Sequence, residues 1–242
     1  MKFFWLKIRF FAYTLSYFLI LPYIYYKKSI LDFNNFRKYM SKYPPKWGSK
    51  LLKWSDADVK VIGLENIPEE PVVIAANHQA GFDIPLLFAK MTNHPSFIAK
   101  IELSKIPMFA SWMRMIGCLF IDRSSPRKAL ESFKTAAELI KKGQTVIIFP
   151  EGTRRPVIIP FKKGSFKLPI MAGVPVLPVT IVGTEKMVGN IKAGRRSKVT
   201  LVIDKPVNIS DLDREKQKTV HEDIRALIAA NFKKYSEEQN SC

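Results

Sequence analysis

The sequence predicts an α/β fold: a mixed, largely parallel sheet flanked by helices, preceded by an N-terminal two-helix membrane anchor. Three observations point there. From residue 57 onward, short β-rich runs alternate with helical stretches. Two of those runs, 71–77 and 144–150, are apolar almost throughout, as strands covered on both faces are. The first sixty residues differ in composition from the rest, holding twelve Lys or Arg against three Asp, half of the chain's net +18.

The N-terminal segment comes first. Phe10 to Tyr26 is an uncharged, aromatic-rich run flanked by Arg9 and by Lys27 and Lys28. Seventeen helical residues reach roughly 25 Å, just enough to cross a hydrocarbon core of about 30 Å. Pro22 is expected to kink such a helix. Residues 29–55 then intersperse Leu31, Phe33, Phe36, Tyr39 and Met40 with cations, the pattern of a helix lying at an interface. The expected organisation is an anchor over 1–56, either monotopic or with a single span, and a body over 57–242. The stretch PYIYYKK lacks the small residues of a cleavable signal. Two cysteines, Cys118 and Cys242, offer neither a disulfide framework nor zinc spacing, which fits a reducing compartment.

In the body, 59–63 and 71–77 read as strands, 83–92 as a helix, 96–100 as a strand, 107–117 as a helix and 118–123 as a strand. Ser124 or Ser125 caps the next helix, Pro126 lies in its first turn and Gly143 stops it. Strand 144–150, helix 164–173, strands 174–183 and 198–209, and an amphipathic helix from Asp211 to about Lys234 complete the pattern. In such sheets ligands sit beyond the C-terminal strand ends, and His78, Arg123 and Glu151 all fall there.

A net +18 calls for an acidic partner: nucleic acid, an anionic bilayer or a phosphorylated substrate. Cations bracketing an aromatic apolar run suit anionic headgroups. No stacking platform or recognition helix is evident, so a nucleic acid partner is not expected. The non-enzymatic alternative is a basic membrane-surface or nucleic-acid binding protein in which His78 is structural.

The chemistry-bearing residues begin with AANHQAGFDIP, 75–85. A histidine in a strand-to-helix turn and an aspartate at the helix start, five positions on, can meet where the chain reverses. A carboxylate on one imidazole nitrogen fixes the tautomer and leaves the other as a general base. The duller reading makes Asp83 an N-cap and His78 a turn histidine. FPEGTRR, 149–155, follows a buried strand: Gly152 lets backbone approach a ligand, Thr153 supplies a hydroxyl and Arg154 a fork matched to phosphate. Glu151 either binds ligand hydroxyls or holds Arg154. Lys162 and Lys163 lie near a helix start, Arg123 either adds a cation or pairs with Asp122, and Lys100 ends another strand. No phosphate loop, dinucleotide turn or serine-hydrolase elbow is present. A base without its own nucleophile implies attack by a bound hydroxyl.

NHQAGFD, GCLFIDR, FPEGTR and VPVLPV occur in the order of the four sequence blocks of the glycerolipid acyltransferases, over roughly 57–209. The chain resembles the bacterial 1-acyl-sn-glycerol-3-phosphate acyltransferase type. The resemblance implies that His78 deprotonates the sn-2 hydroxyl of lysophosphatidic acid, with Asp83 orienting it. The hydroxyl attacks the thioester of acyl-ACP or acyl-CoA, giving phosphatidic acid. It assigns Glu151, Gly152, Thr153 and Arg154, with Arg123, to the glycerol phosphate, leaves Lys100 as a further substrate-binding cation, and needs no metal and no cofactor. It also implies an N-terminal anchor on the cytoplasmic face of the inner membrane. Alternatives within the same chemistry are another lysophospholipid, a lyso-aminolipid or glycerol 3-phosphate as acceptor. Two departures stand out: Ala80 where the family often has Ser, and the short apolar stretch RPVII after Arg154.

Overall fold

The computed structural model describes residues 2–122 and 124–241; Arg123 and Cys242 lie outside the described residues. Four helices, rather than two, precede the sheet: α1 (Lys2–Leu19), α2 (Leu21–Ile30), α3 (Phe33–Met40) and α4 (Tyr43–Trp54). Pro22 falls in the first turn of α2, just after an interruption at Ile20, whose own backbone (φ −91°, ψ −4°) is still right-handed helical, so the apolar stretch Phe3–Ile30 is broken where the proline is expected to kink it. Asp32 caps α3, its carboxylate accepting the N–H groups of Asn34 and Asn35 at 2.9 and 3.0 Å. The stretch Phe3–Ile30 is long and apolar enough to cross a membrane, and almost none of it is buried. Its outer face carries Phe4, Trp5, Phe11 and Leu19, the last 81% exposed.

The fourth helix belongs to the body as much as to the anchor. Gly48 lets α4 lie directly on the next helix: a Cβ there would sit 2.3 Å from the Pro85 carbonyl oxygen. Aromatic rings join α1 to this base, with Phe10 stacked on Trp54 at 5.9 Å, Tyr13 edge-on to Trp54 at 5.2 Å, and Tyr17 edge-on to Trp112 at 5.1 Å.

The body runs β1 (Ala57–Ile62), β2 (Val73–Ala76), α5 (Asp83–Lys90), β3 (Ser96–Lys100), α6 (Pro107–Met115), β4 (Leu119–Ile121), α7 (Pro126–Lys141), β5 (Val146–Ile148), α8 (Lys167–Ala172), β6 (Val176–Val182), α9 (Met187–Lys192), β7 (Ser197–Ile203) and α10 (Arg214–Ser241). Of the two candidate caps of α7 it is Ser125 that accepts the Lys128 N–H, at 3.3 Å. Helix α9 is the element the periodicity does not announce; burial of Met187 against the sheet makes it.

The seven strands are ordered β1-β7-β6-β2-β5-β3-β4, parallel except for the antiparallel β6–β7 pair. The expected mixed, largely parallel sheet is what forms. Strand β2 shows why: Val73 and Ala75 enter the core shared with α7, α8 and α10, while Ile74 and Ala76 enter the core shared with α5 and α9. A strand covered on both faces has no polar side, hence its unbroken apolar run. Leu86 and Leu87 on α5 are fully buried, worth about 1.5–3 kcal/mol each against exposure. This order sets the C-terminal ends of β6, β2 and β5 side by side, with β3 next to β5.

Candidate active site

His78 sits two residues past β2, and α5 begins at Asp83. The turn brings the two together: His78 Nδ1 lies 2.6 Å from Asp83 Oδ2. Asp83 is fully buried, and the same oxygen also accepts the N–H groups of Gln79 at 2.7 Å and Ala80 at 3.0 Å. A carboxylate only accepts, so Nδ1 carries the proton and Nε2 presents its lone pair. That lone pair takes the Nε–H of Arg154 at 3.2 Å. Phe149, at the end of β5, stacks on the imidazole with centroids 4.0 Å apart and planes 17° apart, fixing the ring's plane. The N-cap reading of Asp83 does not apply: it is the first residue of α5, and its side chain binds the turn before it.

The turn after β5 supplies the second half. Gly152, at φ 71°, is in the left-handed conformation, which bends the chain so that Gly152, Thr153 and Arg154 all border the cavity beside His78. The Arg155 N–H donates to the His78 carbonyl at 2.8 Å, tying this turn to the histidine turn.

Glu151 is placed differently from the ligand contact expected of it. It is 3% exposed and borders no part of the cavity; its two oxygens accept the N–H groups of His78 at 2.9 Å and Ile159 at 3.3 Å. The reason is the two facing backbone donors, which a buried carboxylate satisfies and a ligand would have to displace. Burial pushes the Glu151 carboxyl above the ordinary carboxylate range, with the two N–H bonds opposing it. A carboxylate raised by folding contributes stability that is whole below its ordinary value and is lost as pH rises through the raised one. Glu151→Gln offers only one acceptor to two donors. It is expected to cost about 1–3 kcal/mol and to flatten the fall in Tm as pH rises above the ordinary carboxylate range, read by thermal denaturation as a function of pH. A steep fall left intact in the variant would assign the slope elsewhere.

A cavity of about 1030 Å³ opens beside the base. Its lining includes the apolar side chains of Phe97, Leu103, Phe109, Ile121, Leu130 and Phe133. It also includes Lys100, Thr153, Arg154, Lys162 and Lys167, with Glu102 as its acidic member. Of the residues expected here, His78, Gly152, Thr153, Arg154 and Lys100 border this space, Asp83 and Glu151 support it from below, and Arg123 lies outside the described residues. His94 and His221 do not border it. Among the described residues no group of three or more His, Cys, Asp or Glu is placed to hold a metal ion.

Four participants escape the sequence reading. Phe149 and Lys167 look like ordinary core and surface residues. Asn77 is buried and clamps the end of β2 to β6, donating to the Ile181 carbonyl at 2.9 Å and accepting its N–H at 2.7 Å. Thr184, just past β6, donates its hydroxyl to Asp83 Oδ1. Its signal is a Gly-Thr pair after a buried strand, a pattern that also occurs at 152–153.

Comparison with known proteins gives a consistent result. A family model described as Acyltransferase matches residues 58–182. The chain is 28% identical over 233 residues to a probable 1-acyl-sn-glycerol-3-phosphate acyltransferase of Mycoplasma pneumoniae, covering 87% of each chain. It is 33% identical over 190 residues to the chloroplastic 1-acyl-sn-glycerol-3-phosphate acyltransferase BAT2 of Brassica napus, covering 76% of this chain and 55% of that one; it therefore spans about half the length of the plant relative. The crystal structure of the 1-acyl-sn-glycerophosphate (LPA) acyltransferase PlsC from Thermotoga maritima superposes with a TM-score of 0.78 at 31% identity, over 99% of this chain and 96% of that one.

Proposed function

The chain belongs to the acyltransferase family, and from that footing we propose that it transfers a fatty acyl group from a thioester to the sn-2 hydroxyl of 1-acyl-sn-glycerol 3-phosphate, giving phosphatidic acid. The observation that carries this reading is the pair of hydrogen bonds on His78, which fixes the proton on Nδ1 and leaves the lone pair of Nε2 at a cavity lined by both cationic and apolar side chains. The relatives named as acylating this lysolipid support the choice of acceptor. At about 1030 Å³ the cavity stands at the upper end of ordinary ligand sites, which suits lipid chains better than glycerol 3-phosphate alone.

The acceptor hydroxyl takes the place of the Arg154 Nε–H at His78 Nε2 and gives up its proton there as its oxygen bonds to the thioester carbonyl carbon. Asp83 stays ionised and stabilises the imidazolium that results. The tetrahedral adduct then collapses, the C–S bond breaks, and the departing thiolate takes the proton back from Nε2. Arg154 has to leave the base before the hydroxyl can enter, and the acceptor phosphate supplies what draws it off: a guanidinium prefers a dianion to a neutral imidazole. Thr153, Lys100 and Arg123 complete the anion-binding set. Glu151 holds the two turns together rather than touching substrate. The acyl donor is an ACP or CoA thioester, without a metal or other cofactor. Helix α1, with its exposed Phe4, Trp5, Phe11 and Leu19, seats the enzyme on the cytoplasmic face of an anionic membrane.

The test is acyl transfer in detergent micelles, with acyl-ACP and acyl-CoA offered separately and with phosphorylated and unphosphorylated lysolipids in competition. Phosphatidic acid as the main product is the expected result; preferential acylation of an unphosphorylated lysolipid would overturn the reading. In the same assay Arg154→Ala is expected to raise the KM for lysophosphatidic acid about tenfold or more, the scale of one charge-assisted contact, with the donor KM nearly unchanged. Equal effects on both would remove the phosphate role from Arg154.

A further inference from the structure

We propose that Thr184 is a positioning residue of this site: its hydroxyl, donated to Asp83 Oδ1, sets the orientation and charge distribution of the carboxylate that holds His78. The proposal rests on the reading of His78 as the base. Asp83 is bonded asymmetrically. Oδ2 receives three donors, His78 Nδ1 and the N–H groups of Gln79 and Ala80, whereas Oδ1 receives the Thr184 hydroxyl. Three donors locate one oxygen; the fourth fixes the rotation of the carboxylate plane about it. The hydroxyl has a single proton and two acceptors in reach, Asp83 Oδ1 and, at 3.4 Å, Gln79 Oε1. The closer, charged acceptor takes it.

The chain is built to deliver this hydroxyl. Gly183 turns sharply after β6 with φ 95°, where a Cβ would lie 2.4 Å from the Lys198 carbonyl oxygen. Asn77 locks Ile181, three residues before Thr184, to the residue preceding His78. The two strand ends are therefore held in register by a side-chain clamp, and both Thr184 and Asp83 are fully buried. A hydroxyl merely in need of a partner would not require a rigid route to one carboxylate oxygen.

The consequence is electrical as well as geometric. With its hydroxyl donor gone, Oδ1 no longer shares the stabilisation of the negative charge, and Asp83 becomes a stronger partner for a protonated imidazole. The other charged groups facing the pair are Glu151 and Arg154 from the turn after β5 and Glu185 from the turn after β6, and the Thr184 hydroxyl, which bonds Asp83 and Gln79, is bonded to none of them.

The experiment compares Thr184→Val, Thr184→Ser and Thr184→Ala with wild type. Thr184→Val is expected to lower kcat about 10- to 100-fold, the scale of losing one hydrogen bond to a charged group. The acceptor KM should stay within about twofold, because nothing that touches substrate changes. The acid limb of the pH–rate profile should move to higher pH. Thr184→Ser, which keeps the donor, should restore both. In the ligand-free protein the low-field proton signal of His78 Nδ1–H should shift in Thr184→Val and not in Thr184→Ser. A folded Thr184→Val with wild-type kcat, acid limb and Nδ1–H signal would reduce Thr184 to a structural hydroxyl, whatever its Tm. Should the valine variant not fold, Thr184→Ala, which has no donor, at the serine level would overturn the proposal equally. A wild type that acylates no lysolipid defeats the functional reading instead, and the Nδ1–H signal then still decides whether Thr184 governs the pair.

Discussion

His78→Ala is expected to lower kcat by about 10³-fold or more while leaving the protein folded, the combined loss of a general base and of the group that reprotonates the leaving thiolate. In the proposed mechanism the acceptor hydroxyl bonds to the lone pair of His78 Nε2, the atom that the alanine variant removes. A residual rate is expected, because the cavity and its cations are left unchanged. Folding should survive because the imidazole is only one of four donors to Asp83, and the Gln79, Ala80 and Thr184 contacts remain. The Phe149 ring loses its stacking partner, a modest cost at the edge of the cavity. The check is single-turnover transfer to lysophosphatidic acid beside circular dichroism and donor binding. A folded alanine variant within about tenfold of wild type, well short of the 10²–10⁴ commonly supplied by a general base, would return His78 to the role of a turn residue.

Asp83→Asn should lower kcat by about 10²–10³-fold, the scale of removing one fixed electrostatic partner of the transition state. The direction of the amide is decided by its neighbours. Three N–H donors meet at the Oδ2 position, so the carbamoyl oxygen belongs there and the NH2 turns to Thr184. The Thr184 hydroxyl can accept from that NH2 and give its own proton to Gln79 Oε1. Nδ1 of His78 thus remains a donor, and the tautomer survives. What disappears is the negative charge that stabilises the imidazolium. The acid limb of the pH–rate profile should accordingly move to lower pH, opposite to the shift expected of Thr184→Val. Measuring both profiles separates loss of charge from loss of orientation. A limb in Asp83→Asn that moves upward would contradict this account of the pair.

How much of this was legible without coordinates depends on the range of the interaction. Alternation of apolar runs with helical stretches is a local signal, and it announced the α/β body, most of its strands and the helix that Ser125 caps. His78 and Asp83 are separated by a single turn, so their meeting followed from chain geometry over a few residues. The cationic character of the 149–155 turn was equally local. Errors arose where local signals were ambiguous. Met187–Lys192 carries no strong period, so α9 exists because the sheet buries Met187.

The remaining features were decided by tertiary structure. Glu151 carries the same sequence signal whether it meets a ligand or two backbone amides, and only the approach of the His78 and Ile159 N–H groups settled its contacts. Gly48 looks like a breaker inside a short helix until α5 is laid against it. Thr184 stands 101 residues from Asp83, and their contact follows from β6 and β2 being neighbours, a pairing no window of sequence contains. Periodicity and turn chemistry record which faces a segment must bury and where the chain reverses, because those are properties of adjacent residues. Which strand lies beside which is set by the packing of the whole core, and the groups that orient the base depend on that order.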